Sequence, residues 1–330
     1  MEISARPLPA AWRCRKAFTL VELLVAAALF SLILAILLGV VSQASTLTRH
    51  AGDRISSFQS ARAAFDQITA KLSQATLNTY WDYDNPARPT RYLRMSELHF
   101  LIGKAGTNGL PGSAGTGQCV FFQVPLGISA LPEGGDLREL LNAGGFFVQY
   151  GPVDVLPSPP FPSQPAKYRY QLKQALQVSE DLSVYADREG THWVGDLAQQ
   201  AVAVSENVVH LSLWPRLPEG EDAAGSTLTD DFTYDSREGA GLTNQPRTAH
   251  QMPPVVQVTM VALDEKSAAR VCVGATPPEA IQAAFDGLFA LSEQEQYERD
   301  LGVLETRLAA AGLHVRIFSA RVAVRESKML

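Results

Sequence analysis

A long uncharged apolar run near the N-terminus is the feature that most limits what this chain can fold into. No residue between Leu23 and Val41 carries a charge. As a helix this run is about 28 Å long, which matches the hydrocarbon thickness of a bilayer. One acid, Glu22, stands at the start of this run. A carboxylate inside the hydrocarbon layer of a bilayer is costly unless another group offsets its charge. Glu22 is therefore a candidate functional residue.

The residues around this acid resemble a known export signal. Residues 16–25, KAFTLVELLV, are similar to the class III signal of type IV pilins and type II secretion pseudopilins. The resemblance implies that a prepilin peptidase cuts between Ala17 and Phe18 and that Phe18 becomes the N-methylated first residue. Glu22 then takes the position of the family's glutamate, where it can pair with the Phe18 ammonium of a neighbouring subunit. Ala17 replaces the usual Gly, and it is also small.

Charge placement predicts the orientation of the chain in a membrane. The expected leader, residues 1–17, carries Arg13, Arg15 and Lys16 just before the apolar run. Basic residues on this side predict a cytoplasmic N-terminus, a single pass through the inner membrane and an exported head. The formal net charge of the chain is −6, which argues against a nucleic-acid-binding surface. We therefore expect membrane lipid, not nucleic acid, as a partner.

Two other interpretations of the N-terminus remain open. A secretory signal peptidase site would fit at residues 42–44, Ser-Gln-Ala, and an uncleaved anchor would carry an exported domain that binds a ligand or an envelope component. Neither alternative explains why Glu22 interrupts the apolar segment. The length of the apolar run also exceeds that of an ordinary cleaved signal. We therefore favour the pilin-type interpretation, with residues 18–41 as the membrane or filament-core helix.

The rest of the chain predicts an α+β, pilin-like fold. Residues 42–79 should continue the helix, because apolar residues there recur at intervals of three and four. A turn with an aromatic cluster is expected at residues 78–86, and residues 80–330 should form the exported head, with an antiparallel-rich sheet and a flexible polar insertion at 215–252. The expected strands are 97–102, 119–124, 145–150, 168–172, 208–214 and 255–263. A late helix with Leu291, Tyr297, Leu301, Leu304 and Leu308 on one face should precede a final strand. The stripe expected to seat the head on the helix consists of Phe58, Ala61, Phe65, Ile68, Leu72 and Ala75.

The sequence contains no recognisable catalytic or metal-binding pattern. Its histidines lack the spacing of a metal site, and the glycine-rich residues 112–117 fail the GxGxxG template. Asp82 and Asp84 suggest a calcium loop, but no later acid completes the ligand set, so a turn is favoured. We expect a structural protein, not an enzyme, with no cofactor and no metal.

Cysteine usage leaves two alternatives open. Cys119 and Cys272 would remain after the leader is removed. In an exported domain they could form a disulfide, or each could be an independent buried residue.

Two narrower resemblances concern the head. Residues 207–213 followed by 252–260 are similar to the last strands of the minor pseudopilin J of type II secretion. Residues 80–83, 94–100 and 253–258 also resemble the Verru_Chthon cassette protein C family of Verrucomicrobia and related bacteria. Both resemblances imply a minor pilin or pseudopilin subunit. Its partners would be the prepilin peptidase, other pilin subunits and an inner-membrane assembly platform.

Overall fold

The computed structural model describes residues 19–131, 137, 139–153, 166–187, 190–218, 228–229, 231–290 and 293–329, with no side chains for 42–57. The chain divides into two units, residues 1–52 and residues 53–330. The helices are α1 Leu20–Ser73, α2 His192–Gln199, α3 Glu265–Val271, α4 Glu279–Phe285 and α5 Gln294–Ala310. The strands are β1 Tyr80–Tyr83, β2 Tyr92–Met95, β3 Leu101–Lys104, β4 Gln118–Pro125, β5 Leu141–Pro152, β6 Tyr168–Gln177, β7 Val202–Glu206, β8 Val208–Arg216, β9 Tyr234–Asp235, β10 Val255–Leu263 and β11 Val315–Ala323.

The strands form antiparallel sheets, so the fold is α+β with an apolar N-terminal helix, consistent with a pilin-like fold as predicted. One sheet has the order β7-β6-β5-β4-β3-β9, another the order β11-β10-β8, and β1 and β2 form a separate hairpin. The predicted strands at 119–124, 145–150, 168–172, 208–214 and 255–263 all lie within observed strands. Their aromatic and β-branched side chains fill the core between the sheets.

The second half of α1 packs against the head through the predicted stripe. Ala61, Phe65, Ile68 and Leu72 are buried, and Phe58 is half-buried against the same core. The ring of Phe65 lies 5.8 Å from that of Phe318 in β11, centroid to centroid. The opposite side of the helix is polar and exposed, as the spacing predicts.

Helix α1 ends at Ser73, six residues before the predicted end at Thr79. The amides of Gln74 and Ala75 close the last turn by bonding to carbonyls three residues back. The chain then becomes extended, because the amide of Thr76 donates to the carbonyl of Gln123 in β4 at 2.9 Å. Contact with the sheet ends the helix here; the polar turn that we predicted at residues 78–86 instead contains β1.

The first core strand begins later than predicted. We expected residues 97–102 to be a strand, whereas β3 is Leu101–Lys104. The preceding amides bond to side chains instead of a neighbouring strand: His99 N–H donates to Gln123 Oε1 and Phe100 N–H to Ser236 Oγ, both at 2.9 Å. Alternation alone does not reveal such side-chain partners.

The predicted flexible insertion at 215–252 is largely built into the head. Strand β9 pairs with β3, and the side chains of Phe232, Tyr234 and Met252 are buried. Residues 231–252 therefore contribute a short strand and buried side chains to the head, and the mobility of the insertion stays a prediction. Residues 219–227 and 230 lie outside the described residues.

The late helix and final strand appear as predicted. Helix α5 buries Tyr297, Leu304 and Leu308, and Gly312 follows it with φ +67°. Leu291, also assigned to this helix face, lies outside the described part of the chain. Strand β11 then pairs with β10 along its full length.

Candidate functional site

The first turn of α1 contains the predicted functional acid. Thr19 caps the helix: its Oγ1 accepts the backbone N–H of Glu22 at 3.3 Å, and its carbonyl accepts the N–H of Leu23 at 3.2 Å. Threonine followed three residues later by glutamate is the capping-box sequence. The capping role of Thr19 was not predicted from the sequence, although a threonine three residues before a glutamate is a signal of a helix N-terminus.

The position of Glu22 also suits its charge. The acid lies in the first turn of α1, where unsatisfied N–H groups give the helix end a partial positive charge. A carboxylate there is stabilised by the helix before any other charge approaches. Between Leu20 and Val41, Glu22 is the single ionisable residue.

The helix that follows has the length and composition of a single membrane span. Residues Leu20–Val41 have a mean hydropathy of 3.0, and every side chain of this segment is exposed. Its serine is satisfied internally, since Ser31 Oγ donates to the carbonyl of Ala27 at 2.9 Å. A segment with apolar side chains on every side requires lipid or other apolar helices around it.

The structure gives no position for the remaining N-terminal residues that the sequence analysis named as processing or leader residues. Arg13, Arg15, Lys16, Ala17 and Phe18 lie outside the described residues.

Cys119 and Cys272 are free buried thiols in this structure. Cys119 Sγ donates to the carbonyl of Gly103 at 3.4 Å, and burial raises its thiol pKa to about 12. Burial likewise raises the pKa of Cys272.

The head also contains a buried network of ionisable groups that our sequence analysis missed. Trp193 Nε1 donates to His99 Nδ1 at 3.0 Å, so the proton of the neutral imidazole is on Nε2 and faces Asp235 Oδ1 at 2.7 Å. Burial lowers the pKa of His99 more than the carboxylate raises it. Burial raises the pKa of Asp235, but the bonds from His99 and Arg237 outweigh it and hold that pKa below its usual range.

This network joins α2, β9 and the residues before β3. Arg237 donates to the carbonyls of Asp187, Gly190 and Glu97 at 2.6 to 3.0 Å. The His99 side chain is only 1 % exposed, so a substrate does not reach it without opening the core. The arrangement fastens three segments together and needs no catalytic role to explain it.

Comparison with known proteins identifies the N-terminal site. Residues 12–38 match the family model described as the prokaryotic N-terminal methylation motif. The comparisons with curated proteins and with solved structures give no match. A motif of this kind implies processing by a prepilin peptidase and assembly with other pilins. The chain therefore has the N-terminal methylation motif of a type IV pilin-like, class III signal.

Proposed function

We propose that this chain is a minor pilin or pseudopilin, a structural subunit of a type II secretion pseudopilus or a type IV pilus-like filament. The observation that carries the proposal is the methylation motif at 12–38, which continues directly into the apolar helix from Leu20. Before assembly, residues 18–41 hold the subunit in the inner membrane with its N-terminus in the cytoplasm. After assembly, the same segment packs in the filament core.

In this proposal the Phe18 ammonium and the Glu22 carboxylate have complementary roles. Cleavage after Ala17 removes the basic leader and creates a positive charge one turn from the acid. Glu22 then pairs with the ammonium of an adjacent subunit, which makes both charges tolerable in an apolar medium. The pairing also fixes the register between neighbouring helices, because the rest of the segment has no polar contact of comparable strength.

The experiment is incorporation of the chain into filaments sheared from cells that express the complete assembly machinery. We expect Glu22→Ala to insert into the membrane normally and to disappear from the sheared fraction, because only the subunit contact needs the charge. Glu22→Asp, which keeps the charge, should retain part of the incorporation. Thr19→Ser serves as the control, since it keeps the capping hydroxyl. Unchanged incorporation of Glu22→Ala would contradict the proposed pairing.

A further inference from the structure

The β1–β2 hairpin presents an exposed aromatic face. Trp81 pairs with Arg94 and Tyr83 with Tyr92, so these four side chains share one face of the two-stranded ribbon. Trp81 is 65 % exposed, Tyr83 45 % and Tyr92 61 %. The two tyrosine rings stack with centroids 4.9 Å apart, and Tyr92 Oη donates to Tyr83 Oη at 3.2 Å. We call Trp81, Tyr83 and Tyr92 the aromatic platform.

The platform is held in place at both ends of the hairpin. At the tip, Asp84 Oδ1 accepts the amides of Asn85 and Thr90, both at 2.9 Å. Beside the base, Arg94 exchanges backbone bonds with the side chain of Gln245 at 2.8 and 2.9 Å. Large aromatic side chains on an ordered backbone lose little conformational entropy on binding, which is typical of a recognition surface.

The chain itself contains a segment whose chemistry fits this platform. Residues 157–165 read PSPPFPSQP, in which Pro159, Pro162 and Pro165 recur every three residues. In a polyproline II helix this spacing aligns the three rings on one side, about 9 Å apart. Proline-rich segments of the PxxP type bind aromatic-lined surfaces. Trp81 and the Tyr83–Tyr92 pair offer two adjacent aromatic contacts for successive rings.

The described residues on either side of the segment lie at the opposite end of the six-stranded sheet from the platform. The hairpin joins the sheet beside Gln123, which pairs with Ala143 at one end of β5, whereas the proline-rich segment connects Pro152 to Tyr168 at the other end. Ala143 and Pro152 are about 30 Å apart along the strand. A loop with both ends at the far edge, running from residue 153 to residue 166, reaches out only about 22 Å. The segment is therefore too short to reach the platform of its own chain.

We propose that the aromatic platform binds the proline-rich segment, residues 157–165, of a second copy of this chain. The residues that flank the proline-rich segment lie at the opposite end of the sheet from the platform, so the contact joins two different surfaces and gives an open row when each copy is added in the same orientation. Repetition of such a contact produces an open row of heads, which is the geometry of a filament. The inference rests on the proposed function and names a partner surface for it.

The first test is binding of a fluorescent peptide, residues 154–167, to the full chain in detergent micelles, followed by anisotropy. We expect saturable binding that weakens at least about tenfold in Trp81→Ala and in Tyr92→Ala, because both remove central contacts. The same peptide with Ala at 159, 162 and 165 should not bind. Tyr185→Ala is the matched control, since Tyr185 is also an exposed tyrosine, 44 % exposed, and it lies outside the hairpin. Absence of binding, or an affinity that is the same for the parent chain and the platform variants, would overturn the proposal.

The second test distinguishes contact between copies from contact within one chain. Two differently tagged copies, one with Trp81→Cys and one with Ser163→Cys, are expressed together in cells with the assembly machinery. We expect a disulfide between the two tags, and none when Tyr185→Cys replaces Trp81→Cys. No disulfide between the two tags, or a disulfide found only in a single chain that carries both substitutions, would overturn the proposal. The peptide test requires no processing or assembly, so its outcome is independent of whether the proposed function holds.

Discussion

Glu22 lies one turn inside an apolar helix, and two features of the chain offset the cost of its charge. Thr19 and the free amides of the first turn provide the first, because they place partial positive charge next to the acid. The Phe18 ammonium of a neighbouring subunit would provide the second after processing. The first effect belongs to a single chain, whereas the second exists only in an assembly. Loss of the second effect is therefore what the filament experiment with Glu22→Ala measures.

At the same scale, His250 gives the head a predictable response to acid. Its side chain is buried, its backbone has φ +53°, and burial, followed by the nearby Arg237 and Arg94, lowers its pKa to about 4. An unfolded histidine binds a proton near pH 6.5. Between about pH 6.5 and about pH 4, the unfolded state is therefore protonated at this residue and the folded state is not. The folded head therefore loses stability as the pH falls from about 6.5 to about 4, by roughly 1 kcal/mol at pH 5.5 from this residue.

The test compares His250→Asn with the parent chain. Asparagine tolerates the left-handed backbone and does not titrate, so the variant should lose less stability between pH 7.5 and pH 5.5. Denaturant unfolding of the head followed by tryptophan fluorescence at each pH provides the measurement. His314→Asn, at an exposed position, is the control. An identical pH slope for the parent and for His250→Asn would contradict the assignment.

At the scale of elements, the amphipathic half of α1 is the part of the structure that the sequence predicted best. A stripe of apolar residues at helical spacing is stable in water only when another apolar surface covers it, and here the core of the head does so. The end of the helix was predicted less well, because Thr76 leaves it to bond to Gln123, a residue far away in the sequence. Strand β9 and the buried polar network were missed for the same reason. Their residues bond to partners from distant parts of the sequence, so no hydrophobic periodicity within a single segment predicts them.

Substitution of Ile68 in α1 tests whether packing of the apolar stripe stabilises the head. Its side chain is fully buried, so Ile68→Ala should lower the free energy of unfolding of the head by about 2–5 kcal/mol. Gln67→Ala, on the exposed side of the same turn, should change it by less than about 0.5 kcal/mol. Denaturant titration of both variants provides the comparison. Equal changes in the free energy of unfolding for the two variants would show that packing of the stripe does not stabilise the head.

The contact between the two larger sheets depends on a glycine. Gly117 has φ +94° and approaches Leu211 so closely that a Cβ would lie 2.1 Å from the Leu211 carbonyl oxygen. Gly117→Ala should therefore destabilise the head by roughly 3 kcal/mol, from backbone strain and overpacking together. Gly109→Ala shares the positive φ but faces open space, so it should cost only about 1 kcal/mol. If both variants unfold at the same denaturant concentration, the close approach is not what holds the sheets together.

At the scale of the whole molecule, the chain combines an N-terminal methylation motif with an α+β head. The signal was predictable, because cleavage, methylation and helix packing act on a short local sequence. The aromatic platform was not recognised from the sequence, where residues 78–86 were predicted to be a polar turn. Only the pairing of β1 with β2 places Trp81, Tyr83 and Tyr92 on one face.

The central claim is that a prepilin peptidase processes this chain, and the intact mass and N-terminal sequence of the protein test it most directly. The chain is expressed with and without the peptidase, alongside Ala17→Trp, which enlarges the cleavage site, and Ala10→Trp as a control within the leader. We predict a product that begins at methylated Phe18 only when the peptidase is present, with Ala17→Trp processed poorly. A product that retains Met1, or one that begins after Ala44, would contradict the account.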